Sequence, residues 1–526
     1  MPRRRGALLA WGSVLALALV LGACKGGKDD AGPPQPGGTL KVSVRDLGSL
    51  DPAATTGRGG LLAIAQLFDS LTAIDEKSGK AMPAAAESWN VSADGLNWTF
   101  NLVAQTFHDG TEVTASDFKS AFDRIARKST NSDVAFQLES VRGFQAAKIA
   151  GTASGLEGVK PSGPRTLRIV LERPFAELPV FLAHPALAPL PKAMVAKPAL
   201  LQQQPVGNGP FKMAAPRTAE RVLLDRYEGH AGKTAYLEHV QIDLGSDPNQ
   251  TWRDFLSKRT DIAEVPTDAL SGSGSRRGEG GFTPFWAALY YGPNLRSPKY
   301  AKPEVRRAIS LAINRRHVAD VVYGGTKESA TGIIPRGVGG YEPQSCADCA
   351  RDEERARTLI NAAFGGKPPE MIIDHLDASP SREVATAIAN DLKAVGLKVA
   401  LRAHNSTDYL KLLEAGKHEI AELGWLSEVP SPDGFLAQQL RTGSPNNHTG
   451  FADRTFDTLI DQARATKDDS ARLEAYRKAE ARAFEIMPLI PIVFFRNHVA
   501  VAERVQDLLI DGAGLFDASR VWIAKA

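Results

Sequence analysis

Apolar and polar positions alternate with period two from Thr39 to Val44, which predicts a strand. The spacing then turns helical, with apolar residues at 61, 64, 67, 68 and 71. The run VSADGLNWTFNL reads as two alternating strands joined at Ala93-Asp94-Gly95. Thr114 predicts a helix N-cap with Asp117 at the third helical position, opening a helix to about Arg127. Further on, a helix is predicted from Pro303 to Val322, with Gly324-Gly325 beyond its end. The segment Leu359 to Phe364, a strand from Met371 to Asp374, a helix from Arg382 to Val395 and a strand from Lys398 to Arg402 then give an α/β alternation. A long helix through 470–486 and an apolar strand from Pro488 to Phe495 complete the pattern.

The stretch His418 to Leu436 stands apart. Alternation through Ile420, Leu423 and Trp425 predicts a short strand, ended by Pro430 and Pro432, which cannot donate to a ladder. A loop is expected to follow, gathering Trp425, Glu428 and Phe435 into a partly apolar pocket with one fixed charge. An ordinary strand end with a buried Trp is the alternative reading. No Lys or Arg lies between 418 and 440, so Glu428 has no local cation, and a partly desolvated carboxylate calls for one.

Composition changes the picture at the N-terminus. Arg3, Arg4 and Arg5 precede an apolar run from Ala7 to Leu21, too short and wrongly flanked for a lasting membrane span. It ends in Leu21-Gly22-Ala23-Cys24, the pattern of bacterial lipoprotein processing, in which the Cys24 thiol is acylated; a plain secretory peptide is the alternative. Residues 1–23 are then a signal peptide, and 24–37 a polar Gly/Pro-rich tether. Setting those three arginines aside, the 63 basic residues balance the 60 acidic ones, so nothing in the charge invites nucleic acid. Cys346 and Cys349 form a C-x-x-C, read as a local disulfide in an exported chain; zinc would need two further ligands at suitable spacing.

Catalytic spacing is missing. His418-Glu419 is followed at 422 by Glu where a zincin helix needs His, and the Gly/Ser run at 270–275 fits neither a nucleophile elbow nor a P-loop. No enzyme, metal or cofactor is expected, with a secreted peptidase as the alternative from another class.

Several motifs in a fixed order carry a resemblance: SLDPA, PAAAESW, the S-DGL-WTF pattern, FHDGT-VTA-DF, Leu182 to Lys192, PVGNGPFK at 205–212 and VRRAISLAINRRHV at 305–318. Together they resemble the family 5 solute-binding proteins of peptide-type ABC importers. The resemblance implies a two-lobed α/β fold of the periplasmic-binding-protein kind, with an extra inserted domain and a ligand cleft between the lobes. It places lobe I at 38–75, 195–288 and 490–526, the inserted domain at 76–194, and lobe II at 289–489. It also implies a monomer on the outer face of the membrane or in the periplasm that hands peptides to an ABC permease. Metal-chelate, opine and oligosaccharide binders share the fold and remain alternatives. Relatives place an Asp three residues after the Trp equivalent to Trp425, where it takes the ligand's ammonium; this chain has Glu428 there. By the same resemblance Tyr291, Asn294 and Asn447 are expected at the ligand, with Pro293 altering the cleft wall.

Overall fold

The structure is a computed structural model that describes residues 32–55, 57–245, 247–272 and 282–525. Cys24, the signal segment and the first part of the tether lie outside the described residues.

Three sheets organise the chain. The first has six strands in the order Val499–Val501, Ile262–Glu264, Thr39–Val44, His239–Leu244, Arg221–Arg226 and Phe211–Met213. Thr39–Val44 runs parallel to both its neighbours and buries Leu40 and Val42, as its alternation predicts. The second sheet runs Glu328–Ser329, Ile490–Asn497, Thr283–Pro293, Ile420–Leu426, Glu370–Leu376 and Lys398–His404. A third, four-stranded sheet, Ala86–Val91, Asn97–Leu102, Thr166–Val170 and Val159–Pro161, falls within the region assigned to the inserted domain.

The long strands Thr283–Pro293 and Ile490–Asn497 pair with each other in the second sheet. Sheet membership therefore changes between Glu264 and Thr283 and again between Asn497 and Val499, several residues away from the expected passages at 288/289 and 489/490. Pro293 does not break its strand: it stays in register opposite Ile420.

Local chemistry explains the helix ends. The Thr114 amide donates to Asp117 Oδ2 at 2.8 Å, tying the cap of Ala115–Ala126. The helix expected from Pro303 to Val322 stops at Ala312. Asn314 restarts it by accepting from the His317 amide at 3.0 Å, a capping preference that competes with helix continuation. After Leu426 the expected loop is only a short turn. Ser431 Oγ accepts from the Asp433 amide at 3.1 Å and opens the helix Pro432–Leu440, where Pro432 occupies the first turn and needs no donor.

Candidate ligand-binding site

Trp425 sits opposite Ala288 in the ladder, and the turn beyond it is held by the Ser427 amide donating to the Trp286 carbonyl at 2.8 Å. That turn carries Glu428 to His184, a residue of the segment after the third sheet. His184 Nε2 lies 2.6 Å from Glu428 Oε2, and the imidazole is fully buried. The ring's other nitrogen, Nδ1, accepts from the Ala186 amide at 3.1 Å, so the neutral tautomer carries its proton on Nε2 and donates it to the carboxylate. Burial alone would raise the Glu428 pKa; the opposing His184 contact prevails and lowers it, favouring the carboxylate. Trp425 is half-buried and meets Phe136 edge-on at 6.4 Å between ring centres. Its buried indole Nε1 has no acceptor among the described residues, which leaves one donor unused three residues before Glu428.

The other residues expected at the ligand are buried or committed to backbone carbonyls. Tyr291 is fully buried, because Thr283–Pro293 is covered on both faces from Trp286 onward and its side chains do not alternate between core and solvent. Phe435 is likewise fully buried on the helix Pro432–Leu440. Asn294 Nδ2 donates to the carbonyls of Gly416 and His418 at 2.9 and 3.0 Å, pinning the strand end. Asn447 Nδ2 donates to the Phe451 carbonyl at 2.7 Å, and its Oδ1 accepts from Thr449 Oγ1 at 3.1 Å, organising its own loop. Of the six residues expected at the ligand, Trp425 and Glu428 are half-buried and lie on one strand end and the turn that follows it. The structure also joins Cys346 and Cys349 in a disulfide.

A second polar cluster escaped sequence reading. Glu177, buried, lies with Oε2 2.9 Å from both Ser431 Oγ and Tyr476 Oη, while the same phenol is 3.0 Å from Asp433 Oδ1. Asp433 is gripped by Arg464 through two contacts of 2.7 Å, and Arg464 also reaches Glu139 at 2.9 Å. A phenol has one proton and cannot donate to two carboxylates. Burial raises the Glu177 pKa despite nearby Arg472; a protonated Glu177 donating to Tyr476, which donates to Asp433, completes the chain of donors. These groups come from five separate segments, so no local spacing announced them. His184 stood within a quoted motif without any sign of its partner.

On the first sheet, the carboxyl ends of parallel strands border a polar pocket of about 360 Å³. Such strand ends are where open α/β sheets bind ligands. Its central acid is Glu264, whose Oε2 meets Arg45 Nη2 at 2.6 Å and whose Oε1 meets His498 Nε2 at 2.9 Å. Although burial opposes it, these partners pull the Glu264 pKa down to about 2. Among the described residues no group of His, Cys, Asp and Glu is arranged to hold a metal ion.

Comparison with known proteins agrees with this architecture. Residues 80–447 match the model of the bacterial extracellular solute-binding proteins, family 5, middle region. Di/tripeptide-binding protein 2 of Pseudomonas aeruginosa is 28% identical over 485 residues, covering 86% of this chain and 89% of its own length. A probable deoxycholate-binding periplasmic protein, YgiS of Escherichia coli, is 27% identical over 467 residues, covering 85% and 86%. Among solved structures, the unliganded open form of the murein tripeptide-binding protein MppA superposes with a TM-score of 0.79 at 25% identity, over 93% of this chain and 98% of that one. HbpA2 from Haemophilus parasuis gives a TM-score of 0.80 at 23% identity, over 93% and 99%. The chain belongs to the bacterial extracellular solute-binding proteins of family 5.

Proposed function

We propose that the protein captures peptides between its two lobes and delivers them to an ABC permease, held at the outer membrane face by a lipid on Cys24. The observation that carries the reading is Glu428: a largely buried carboxylate favoured as the anion and held by His184, three residues after an indole donor without an acceptor. A ligand ammonium entering here would gain a charge-assisted hydrogen bond of about 1.5–3 kcal/mol. The di/tripeptide-binding relative supports a peptide as ligand, and the bile-acid relative marks the competing class. Lobe closure over the ligand is the motion this family architecture suggests.

The test is calorimetric titration with a pool of di- to tetrapeptides, then with the N-acetylated pool, and with deoxycholate in parallel. Binding of free peptides that acetylation weakens about tenfold or more supports the reading. Equal affinity for free and acetylated peptides removes Glu428 as the ammonium anchor. Binding of deoxycholate alone replaces the ligand class.

A further inference from the structure

The second and third sheets share no strand, so no ladder of hydrogen bonds ties one to the other. A seam runs instead between the segment after the third sheet and three helices, Pro432–Leu440, Arg454–Ala465 and Asp469–Ile486. The Ala176 amide donates across it to the Arg464 carbonyl at 2.7 Å, and the Arg464 guanidinium lies 5.5 Å from the Phe175 ring centre. Glu177, the next residue, meets Ser431 and Tyr476 through Oε2, and its Oε1 lies 3.8 Å from Arg472 Nε. Ser431, Asp433 and Tyr476 are fully buried, and Glu177 nearly so.

Charge in the seam balances when one acid is neutral. Besides Glu177, its acids are Asp433, Glu139 and Asp469, and its cations are Arg464, Arg472 and Lys80. Arg464 grips Asp433 and reaches Glu139, while Arg472 and Lys80 lie 2.6 and 2.5 Å from Asp469. Those three cations match those three carboxylates. A fourth carboxylate at Glu177 has only the more distant Arg472, already engaged, and would share one phenol with Asp433. Burial raises the pKa of Glu177 in keeping with this count.

We infer that Glu177, Tyr476 and Asp433 form a proton-operated clasp: with a proton on Glu177 the donors run in one direction and hold the seam shut, and loss of that proton to solvent sets two carboxylates on one phenol and lets the seam part. The clasp is fully formed below the ordinary glutamate pKa and weakens as pH rises toward the raised one. Glu428 lies on the turn just before Ser431, and its contact with His184 crosses the same seam. The device needs no ligand of any particular class.

Hydrogen exchange of the ligand-free protein reads the seam, because the Ala176 amide is bonded across it. The wild type, Glu177→Gln and Tyr476→Phe are labelled at steps from pH 5 to pH 8, with times scaled to equal intrinsic exchange and melts establishing that each protein is folded. In the wild type, protection of the peptide spanning 176–182 should fall about tenfold or more as pH rises, while that of the third-sheet strand Asn97–Leu102 holds steady. Glu177→Gln, whose amide keeps a donor at every pH, should retain the protection seen at acid pH. Tyr476→Phe, which removes the phenol between the acids, should leave 176–182 weakly protected throughout. Protection of 176–182 that ignores pH, that falls equally in Glu177→Gln, or that falls only together with Asn97–Leu102 overturns the clasp. A Tyr476→Phe protein that keeps the full wild-type response overturns it as well, and the wild type and this variant decide the matter if Glu177→Gln does not fold.

Discussion

His184 donates from Nε2 to the carboxylate of Glu428 across 2.6 Å, joining two segments 244 residues apart in sequence. The bond does two things at once. It holds the acid ionised and aimed, and it ties the turn after Ile420–Leu426 to the segment that follows the third sheet.

Replacing His184 by Phe keeps the ring and removes the donor. The Glu428 carboxylate is then left with less support, and the Ala186 amide loses its acceptor. We expect a loss of about 2–3 kcal/mol in urea unfolding, and a loss distinctly smaller when Glu428→Gln is made in the same chain. A double-mutant cycle showing simple additivity refutes the coupling.

Glu177 sets a pH dependence. Its pKa is raised by burial, so the native state keeps a proton that the unfolded chain has already released at the ordinary glutamate value. The sign follows: its contribution is fully present below that ordinary value and is lost as pH rises toward the raised one. Glu177→Gln mimics the protonated side chain and should unfold within about 1 kcal/mol of wild type at pH 5, and become relatively more stable above pH 7. Melts across pH 5–9 check this; parallel curves for the two proteins contradict a buried proton on Glu177.

Arg315 carries a buried guanidinium that donates to the carbonyls of Pro491, Ser310 and Cys349 at 2.6, 2.9 and 2.7 Å. Burial lowers its pKa to about 9, and no carboxylate pairs with it among the described residues. Arg315→Met strands several acceptors and should cost roughly 3 kcal/mol or more. Reduction of the Cys346–Cys349 disulfide opens only a very short loop and should cost much less while leaving peptide binding nearly intact. Denaturant curves of the variant and of the reduced wild type measure both.

Cys24→Ala should release the protein from the membrane fraction, because two acyl chains anchor stably where none remain in the variant. Fractionation of cells producing each form checks it; a mature variant still in the pellet contradicts the lipid anchor.

Much of the fold was legible from the chain because it depends on near neighbours. Thr39–Val44 follows from period-two alternation, and the cap of Ala115–Ala126 from Thr114 and Asp117 three residues apart. Trp425 and Glu428 could be singled out for the same reason: a strand end, two prolines and an acid without a nearby cation are all local facts. What they touch is not. Periodicity assigns one of Tyr290 and Tyr291 to the core, but the strand Thr283–Pro293 is covered on both faces, and both are buried. Asn294, Asn447 and Phe435 look available in sequence and are committed to carbonyls or core in space. The partners of Glu428 and Glu177 depend on which segments the packed sheets bring together. Hydrogen bonds and charges act over a few ångströms, whatever the sequence separation. The chain therefore determined its strands, caps and one candidate anchor, while tertiary packing alone decided which charges face one another.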